Sequence, residues 1–381
     1  MTHPIISTPH LRKRWLPLVL CLTSSVCMPT LRGGDPRLQD IRLPPGFSVS
    51  IYAANVNNAR GMCMSPEGTL YVGSREEGTV VALRDTNGDM QVDERFTLIN
   101  KLNMPVGVAF HKGALYISDV SRILRLDDIE TQLSDPPAPV VVTDRFPRDT
   151  HHGWKYIAFG PDDKLYVPVG APCNICLKED SIYASIARVN ADGSGLQIVA
   201  HGVRNSVGFD WDPRDSSLWF TENGRDWMGD DLPGCELNHL TSDGQHFGYP
   251  YCHQGDTPDP EFGKGRPCSD FVPPVVNLGP HMAPLGMKFY RGSMFPPEYH
   301  NAIFIAEHGS WNRSTPIGYR VAVVFLADDG SARQEVFAEG WLQGSRAWGR
   351  PVDILELPDG SLLVSDDAAD LIYRISYSGR N

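Results

Sequence analysis

A chain of 381 residues exceeds one ordinary domain, but 36 glycines and 31 prolines with no long amphipathic helical stretch fit many short strands joined by turns around one axis. The formal net charge of −12 repels phosphate backbones and anionic lipid. This argues against nucleic acid as a partner, and any bound anion must sit in a local basic cluster.

In chain order, Arg12, Lys13 and Arg14 come first, then an apolar run from Trp15 to Leu22, then small and polar residues from Thr23 to Ser25. That is the pattern of a secretory signal peptide, and it is shorter than the ~20 apolar residues a membrane span requires. Residues 1–34 are expected to be a signal peptide and flexible N-terminus. Residues 35–381 are expected to form one exported domain, periplasmic or secreted, with no membrane span. Six cysteines follow residue 34, and in an oxidising compartment some should pair. Cys252 and Cys268 flank a Pro- and Gly-rich loop, where a bridge is favoured. Cys173 and Cys176 have neither a second ligand pair for zinc nor a following His for haem, so a local disulfide bracing a loop is expected.

An internal repeat organises the rest. Its six copies start at Gly61, Val106, Trp154, Val207, Leu285 and Val352. Each has an apolar strand, a turn such as Pro-Glu-Gly or Pro-Asp-Gly, a strand of the type Leu-Tyr-Val, and a polar loop leading to another strand. Alternation of that kind suits a pleated strand with a face against its neighbour, and a closed ring of such sheets buries what one sheet cannot. The expected fold is all-β, a six-bladed β-propeller, with the early strand PGFSVSIYA completing the last blade. The same hairpins could form two β-sandwiches, but the repeat fills the chain, which favours the ring. Spacing widens after the fourth and fifth copies, so long loops leave the ring there, and such loops commonly carry function.

Beyond the repeat stand HHGWKYIAFGPDDKLYVPVG from His151, HGVRNSVGFDWDP from His201, WFTENGRDWMGDDLPGCELN from Trp219, HGSWNRS from His308 and GRPVDILELPDG from Gly349. On these segments the chain resembles the glucose/sorbosone dehydrogenases, most closely the sorbosone-dehydrogenase-like branch. The resemblance implies pyrroloquinoline quinone (PQQ) on the propeller's top face with calcium (Ca2+) beneath it. It also implies a histidine that takes the sugar hydroxyl proton while hydride passes to the quinone.

Carried over residue by residue, the resemblance makes His152, with His151 beside it, the base; neutral imidazole suits that task. Arg204 and Asn205 match the Arg-Asn pair near the quinone oxygens, where positive charge stabilises the reduced cofactor. Arg350 matches an arginine that pairs with a cofactor carboxylate. Gly224 and Arg225 stand where the family offers two carbonyls to calcium. The family usually shows Pro at Arg225, and this side chain would bring extra positive charge towards the metal or cofactor. Asp226, Asp230, Asp231 and Glu236 could complete a calcium shell or simply be solvated. Val352 occupies the place of a second family arginine, and Arg313 is the nearest counterpart of a family lysine. The plainer alternatives are a turn-capping histidine and arginines that brace adjacent blades.

Asp85, Asn87, Asp89 and Asp93 alternate as in an EF-hand loop, but Phe96 replaces the closing glutamate, leaving a structural calcium or a solvated turn. Trp154, Trp227, Trp311 and Trp348 could stack on a sugar or fill wedges between blades. The leading expectation is PQQ- and calcium-dependent oxidation of a small-molecule sugar, an aldose or sorbosone-like aldehyde. The chain has no CxxCH, so electrons would pass to an external acceptor. A glycan- or protein-binding propeller and a calcium-dependent lactonase-type hydrolase are the alternatives.

Overall fold

The computed structural model describes Met1, residues 35–327 and residues 329–379. The proposed signal segment lies outside the described residues. Six antiparallel four-stranded meanders succeed one another along the chain. Blade 1 is Ala59–Met64, Leu70–Ser74, Val80–Arg84 and Glu94–Ile99. Blade 2 is Val108–His111, Ala114–Asp119, Arg122–Leu126 and Val140–Thr143. Blade 3 is Ala158–Phe159, Lys164–Val169, Ser185–Asn190 and Gln197–His201, extended in parallel by Gln245–His246. Blade 4 is Phe209–Trp211, Leu218–Glu222, Gly234–Leu240 and Val276–Pro280. Blade 5 is Pro284–Phe289, Ile303–Glu307, Arg320–Leu326 and Ala332–Ala338. Blade 6 is Pro351–Glu356, Leu362–Asp366 and Leu371–Tyr377. Phe47–Ala54 completes blade 6 by pairing antiparallel with Leu371–Tyr377, so the two ends of the domain close the ring as the repeat predicts.

Burial is graded from axis to rim. The second strands of blades 1, 2, 4, 5 and 6 are buried at every position, because neighbouring blades cover both faces. The outer strand Glu94–Ile99 alternates towards solvent. Apolar clusters form the wedges, as where Tyr71 and Ala82 of blade 1 meet Leu115 and Ile117 of blade 2. At the axis the inner strands come so close that a Cβ on Gly208 would strike the Leu285 carbonyl, which explains a glycine early in several copies.

In a meander, chain reversals alternate between two ends. The loops leading into each inner strand (55–58, 100–107, 144–157, 202–208, 281–283, 339–350) share one end with those between second and third strands (75–79, 120–121, 170–184, 223–233, 308–319, 367–370). His152, Arg204, Asn205, Gly224, Arg225, Arg313 and Arg350 all lie in loops of this end. The Asp85–Asp93 turn is at the other end. There Asp85 accepts from the Gly88 and Met90 amides and Asp93 from Thr86, so the carboxylates close their own loop.

Cys173 pairs with Cys176 and Cys252 with Cys268, while Cys63 and Cys235 remain thiols in blades 1 and 4. Burial pushes the Cys235 thiol up to about 11, so it is not a reactive nucleophile. The Cys252–Cys268 bridge spans 16 residues of the long loop of blade 4. Replacing both cysteines by serine should cost about 3 kcal/mol through restored unfolded-chain entropy, read as a lower calorimetric midpoint. Among the described residues no helix is long and apolar enough to cross a membrane.

Candidate active site

His152 sits in the loop leading into blade 3, in left-handed backbone at φ 51°. It is 8% exposed, and its Nδ1 lies 2.8 Å from the Ala171 carbonyl. A carbonyl only accepts, so Nδ1 carries the proton and Nε2 keeps a lone pair for a substrate. Burial, then the charge of Arg204, then His151 hold its pKa well below the ordinary histidine value, so the imidazole stays neutral. Gly170 makes room for it, since a Cβ there would lie 2.5 Å from the His152 Cβ. The loop is anchored by buried Lys155, whose Nζ donates to the carbonyls of Val120 (2.5 Å) and Gly153 (2.8 Å).

Arg204 lies next to this histidine through the backbone, the Ala171 N–H donating to the Arg204 carbonyl at 2.8 Å. Its guanidinium is buried and nearly saturated. Nε donates to the Asn174 carbonyl (2.8 Å), and Nη2 to Asn174 Oδ1 (2.9 Å) and Asp226 Oδ2 (3.2 Å). Nη1 donates to the Asn223 carbonyl (3.2 Å), leaving one N–H for a ligand. Asn174, between the bridged Cys173 and Cys176, thus fixes Arg204 and also accepts from the Asp226 amide at 2.8 Å. Asn205 is buried beside it, and its carboxamide makes no hydrogen bond among the described residues.

Across the ring, Arg350 Nε stands 3.0 Å from Asp367 Oδ1 as an ion pair. Asp367 also pairs with Arg60 (2.6 Å) and His308 (3.0 Å). Burial opposes ionisation of Asp367, but His308, Arg60 and Arg350 outweigh it and hold the carboxyl far below its usual range. Two arginines therefore share one carboxylate. Arg60 Nε is buried without a hydrogen-bond acceptor among the described residues, and Arg350 Nε has only its ion pair with Asp367. Arg60, Asp367 and Asn174 carry no local sequence signal, and the HGSWNRS segment that His308 opens does not reveal its partner, since ring closure alone gathers these residues from blades 1, 3, 5 and 6.

One expectation changes. The Arg225 side chain brings no charge to the site. It is buried against Asp259 (2.5 Å) and Glu261 (3.3 Å), with His253 also on Asp259 (2.9 Å), because a buried aspartate requires a cation. Arg313 is engaged with the neighbouring loop, through the Asp230 carbonyl (2.6 Å) and Asp231 (3.2 Å), where Ser314 also holds Asp230.

The acidic loop resolves differently residue by residue. Asp226 serves Arg204, Asp230 serves Ser314, and Asp231 is exposed beside Arg313. Glu236 is buried rather than solvated, directly opposite Glu222 on the adjacent strand. Burial pushes Glu236 up to about 7, and burial with repulsion from Glu236 raises Glu222 well above its ordinary range. Glu222 Oε2 and Asn238 Oδ1 lack hydrogen-bond partners among the described residues, and neither the Gly224 nor the Arg225 carbonyl accepts one there. An oxygen-only donor set suits a hard cation such as calcium. Among the described residues no group of three His, Cys, Asp or Glu converges as a metal site, so backbone carbonyls would have to supply ligands.

A cavity of about 770 Å3 lies at the other end, lined by Met64, Phe110, Lys112, Glu130 and Leu357. Glu130 there is committed to Thr69 and Tyr71, and no base stands beside an arginine, so volume alone marks no chemistry.

This is a six-bladed propeller whose loop-bearing end pairs a neutral, buried histidine with arginines and spare oxygen donors. The chain belongs to the TrAA12-like family, whose pattern it matches over residues 41–377. It is 34% identical over 354 residues to an uncharacterized protein of Borreliella burgdorferi, covering 88% of this chain and 91% of that one. It is 24% identical over 350 residues to the pyrroloquinoline quinone-dependent pyranose dehydrogenase of Coprinopsis cinerea, covering 76% of this chain but only 45% of that enzyme. The calcium structure of the Trichoderma reesei carbohydrate-active enzyme of family AA12 superposes with a TM-score of 0.77 at 21% identity, covering 89% of this chain and 97% of that one.

Proposed function

We propose that the protein is a PQQ-dependent sugar oxidoreductase working at the loop-bearing end of the propeller. The observation that carries this reading is His152, buried and depressed in pKa, with Nδ1–H fixed on Ala171 and Nε2 left as the basic atom beside Arg204. Bound PQQ supplies the two-electron acceptor. His152 Nε2 takes the proton of the sugar hydroxyl, and its neutrality keeps it ready to do so. The remaining N–H of Arg204 and the uncommitted carboxamide of Asn205 stabilise negative charge that develops next to the base. Arg350, oriented by Asp367, holds a carboxylate group of the cofactor, and Arg60 behind Asp367 keeps the net charge of the cluster positive. The carbonyls of Gly224 and Arg225, near the buried carboxylates of Glu222 and Glu236, would hold a calcium ion.

The substrate is an aldose or a sorbosone-like aldehyde, and electrons leave to an external acceptor. The basic-apolar-polar segment 12–25 and two disulfides support export to the periplasm or medium. Titrating PQQ into the purified protein with and without calcium, followed by absorbance, tests the reading. One-to-one uptake that a chelator abolishes, with aldose-dependent reduction of a dye, is expected. No uptake at any calcium level overturns it.

A further inference from the structure

Arg75, at the loop-bearing end, is a cation that forms no ion pair among the described residues. Its loop, between the second and third strands of blade 1, is fixed by Asn58 Oδ1, which accepts from the amides of Arg75 (2.9 Å) and Glu76 (2.8 Å). Asn58 Nδ2 donates in turn to the Asp367 carbonyl at 3.3 Å, so the loop belongs to the Arg60–Asp367–Arg350 cluster. The Arg75 guanidinium lies 4.2 Å from the centre of the Trp154 ring. Trp154 packs against Val207, Leu285 and Val352, which stand at the starts of the inner strands of blades 4, 5 and 6, so the indole caps the axis. Its other contact is His152, ring centres 5.6 Å apart and nearly perpendicular.

Among the described residues no carboxylate forms an ion pair with Arg75, although every neighbouring arginine of the cluster has one. The side chain is half-buried; burial, then Arg60 and more weakly Arg350, disfavour its charge, against attraction from Glu76 and Asp367, and the balance lies below its ordinary value. A half-buried guanidinium that faces two like charges and makes no ion pair with either nearby carboxylate gains from an anion that joins it, and a carboxylate is the anion its forked donors fit. An indole beneath it excludes water from one side, which strengthens that pairing.

We propose that Arg75, seated on Trp154, anchors a carboxylate of the ligand bound over the propeller axis. In the setting of the proposed function, on which the ligand's identity rests, that carboxylate belongs either to PQQ or to an acidic sugar. Val352 is part of the apolar plug against which the indole packs.

The test uses the purified protein and benzene-1,3,5-tricarboxylate, a planar triacid without redox chemistry, titrated by quenching of indole fluorescence. Arg75→Gln should weaken its binding about tenfold or more, and Arg75→Lys should restore part of that loss. Repeating the titration with PQQ and measuring KM for a uronic acid separates the two sources. A matching loss of PQQ affinity assigns the carboxylate to the cofactor. Unchanged PQQ affinity with KM raised for the uronic acid, and not for a neutral aldose, assigns it to the substrate. Triacid binding through Arg75 without PQQ uptake by the wild type keeps the anion site and sinks the cofactor reading. Triacid affinity unchanged in an Arg75→Gln protein of wild-type thermal midpoint overturns the proposal.

Discussion

His152→Ala should lower kcat for dye-coupled sugar oxidation about a thousandfold and leave PQQ uptake intact. The imidazole is oriented by one hydrogen bond, Nδ1 to Ala171, and touches the cofactor-holding arginines only through the backbone of Arg204. Removing it deletes the proton acceptor without removing a cation. The pH profile gives a second readout. The base works only when neutral, and its pKa lies well below 6.5, chiefly through burial. Activity should therefore rise with pH along a limb that is complete before neutrality, then hold level. A limb centred above neutrality, or its persistence in His152→Ala, would assign the base elsewhere.

Arg204→Gln should lose about a hundredfold in kcat and about 3–5 kcal/mol of stability together. Its guanidinium ties its own loop to two others: that of the Cys173–Cys176 bridge through Asn174, and 223–233 through Asp226 and the Asn223 carbonyl. Cutting it leaves Asp226 unpaired and frees the loop that presents the Gly224 and Arg225 carbonyls. Arg204→Lys should recover little, because one ammonium cannot reach Asn174 twice and Asp226 at the same time. Turnover at saturating PQQ and denaturant melts of both variants check this. Full stability with lost turnover would confine Arg204 to chemistry, and the reverse would confine it to architecture.

The ring was legible because each blade carries its own copy of the repeat, and a strand such as Leu70–Ser74 or Leu362–Asp366 can be buried on both faces only between like neighbours. His152, Arg204 and Asn205 could be named as candidates because a short motif carries each of them. What escaped was contact across the ring. Nothing local marks Arg60 or Arg75 as partners of a site whose base lies in blade 3, nor His308 and Asp367 as the link between Arg60 and Arg350. Arg225 was misjudged for the same reason. Its counter-ion, Asp259, lies 34 residues on, in the long loop of blade 4 whose course no periodicity describes. Glu236 shows the converse: a glutamate in an acidic segment reads as solvated until its strand is placed opposite Glu222 inside the sheet.

Co-crystallisation with PQQ and calcium is the most direct measurement. The account predicts the planar density over Trp154 at the loop-bearing end, with His152 Nε2 and Arg204 on one side and Arg350 on the other. Cofactor density in the opposite cavity, against Met64 and Leu357, would contradict it.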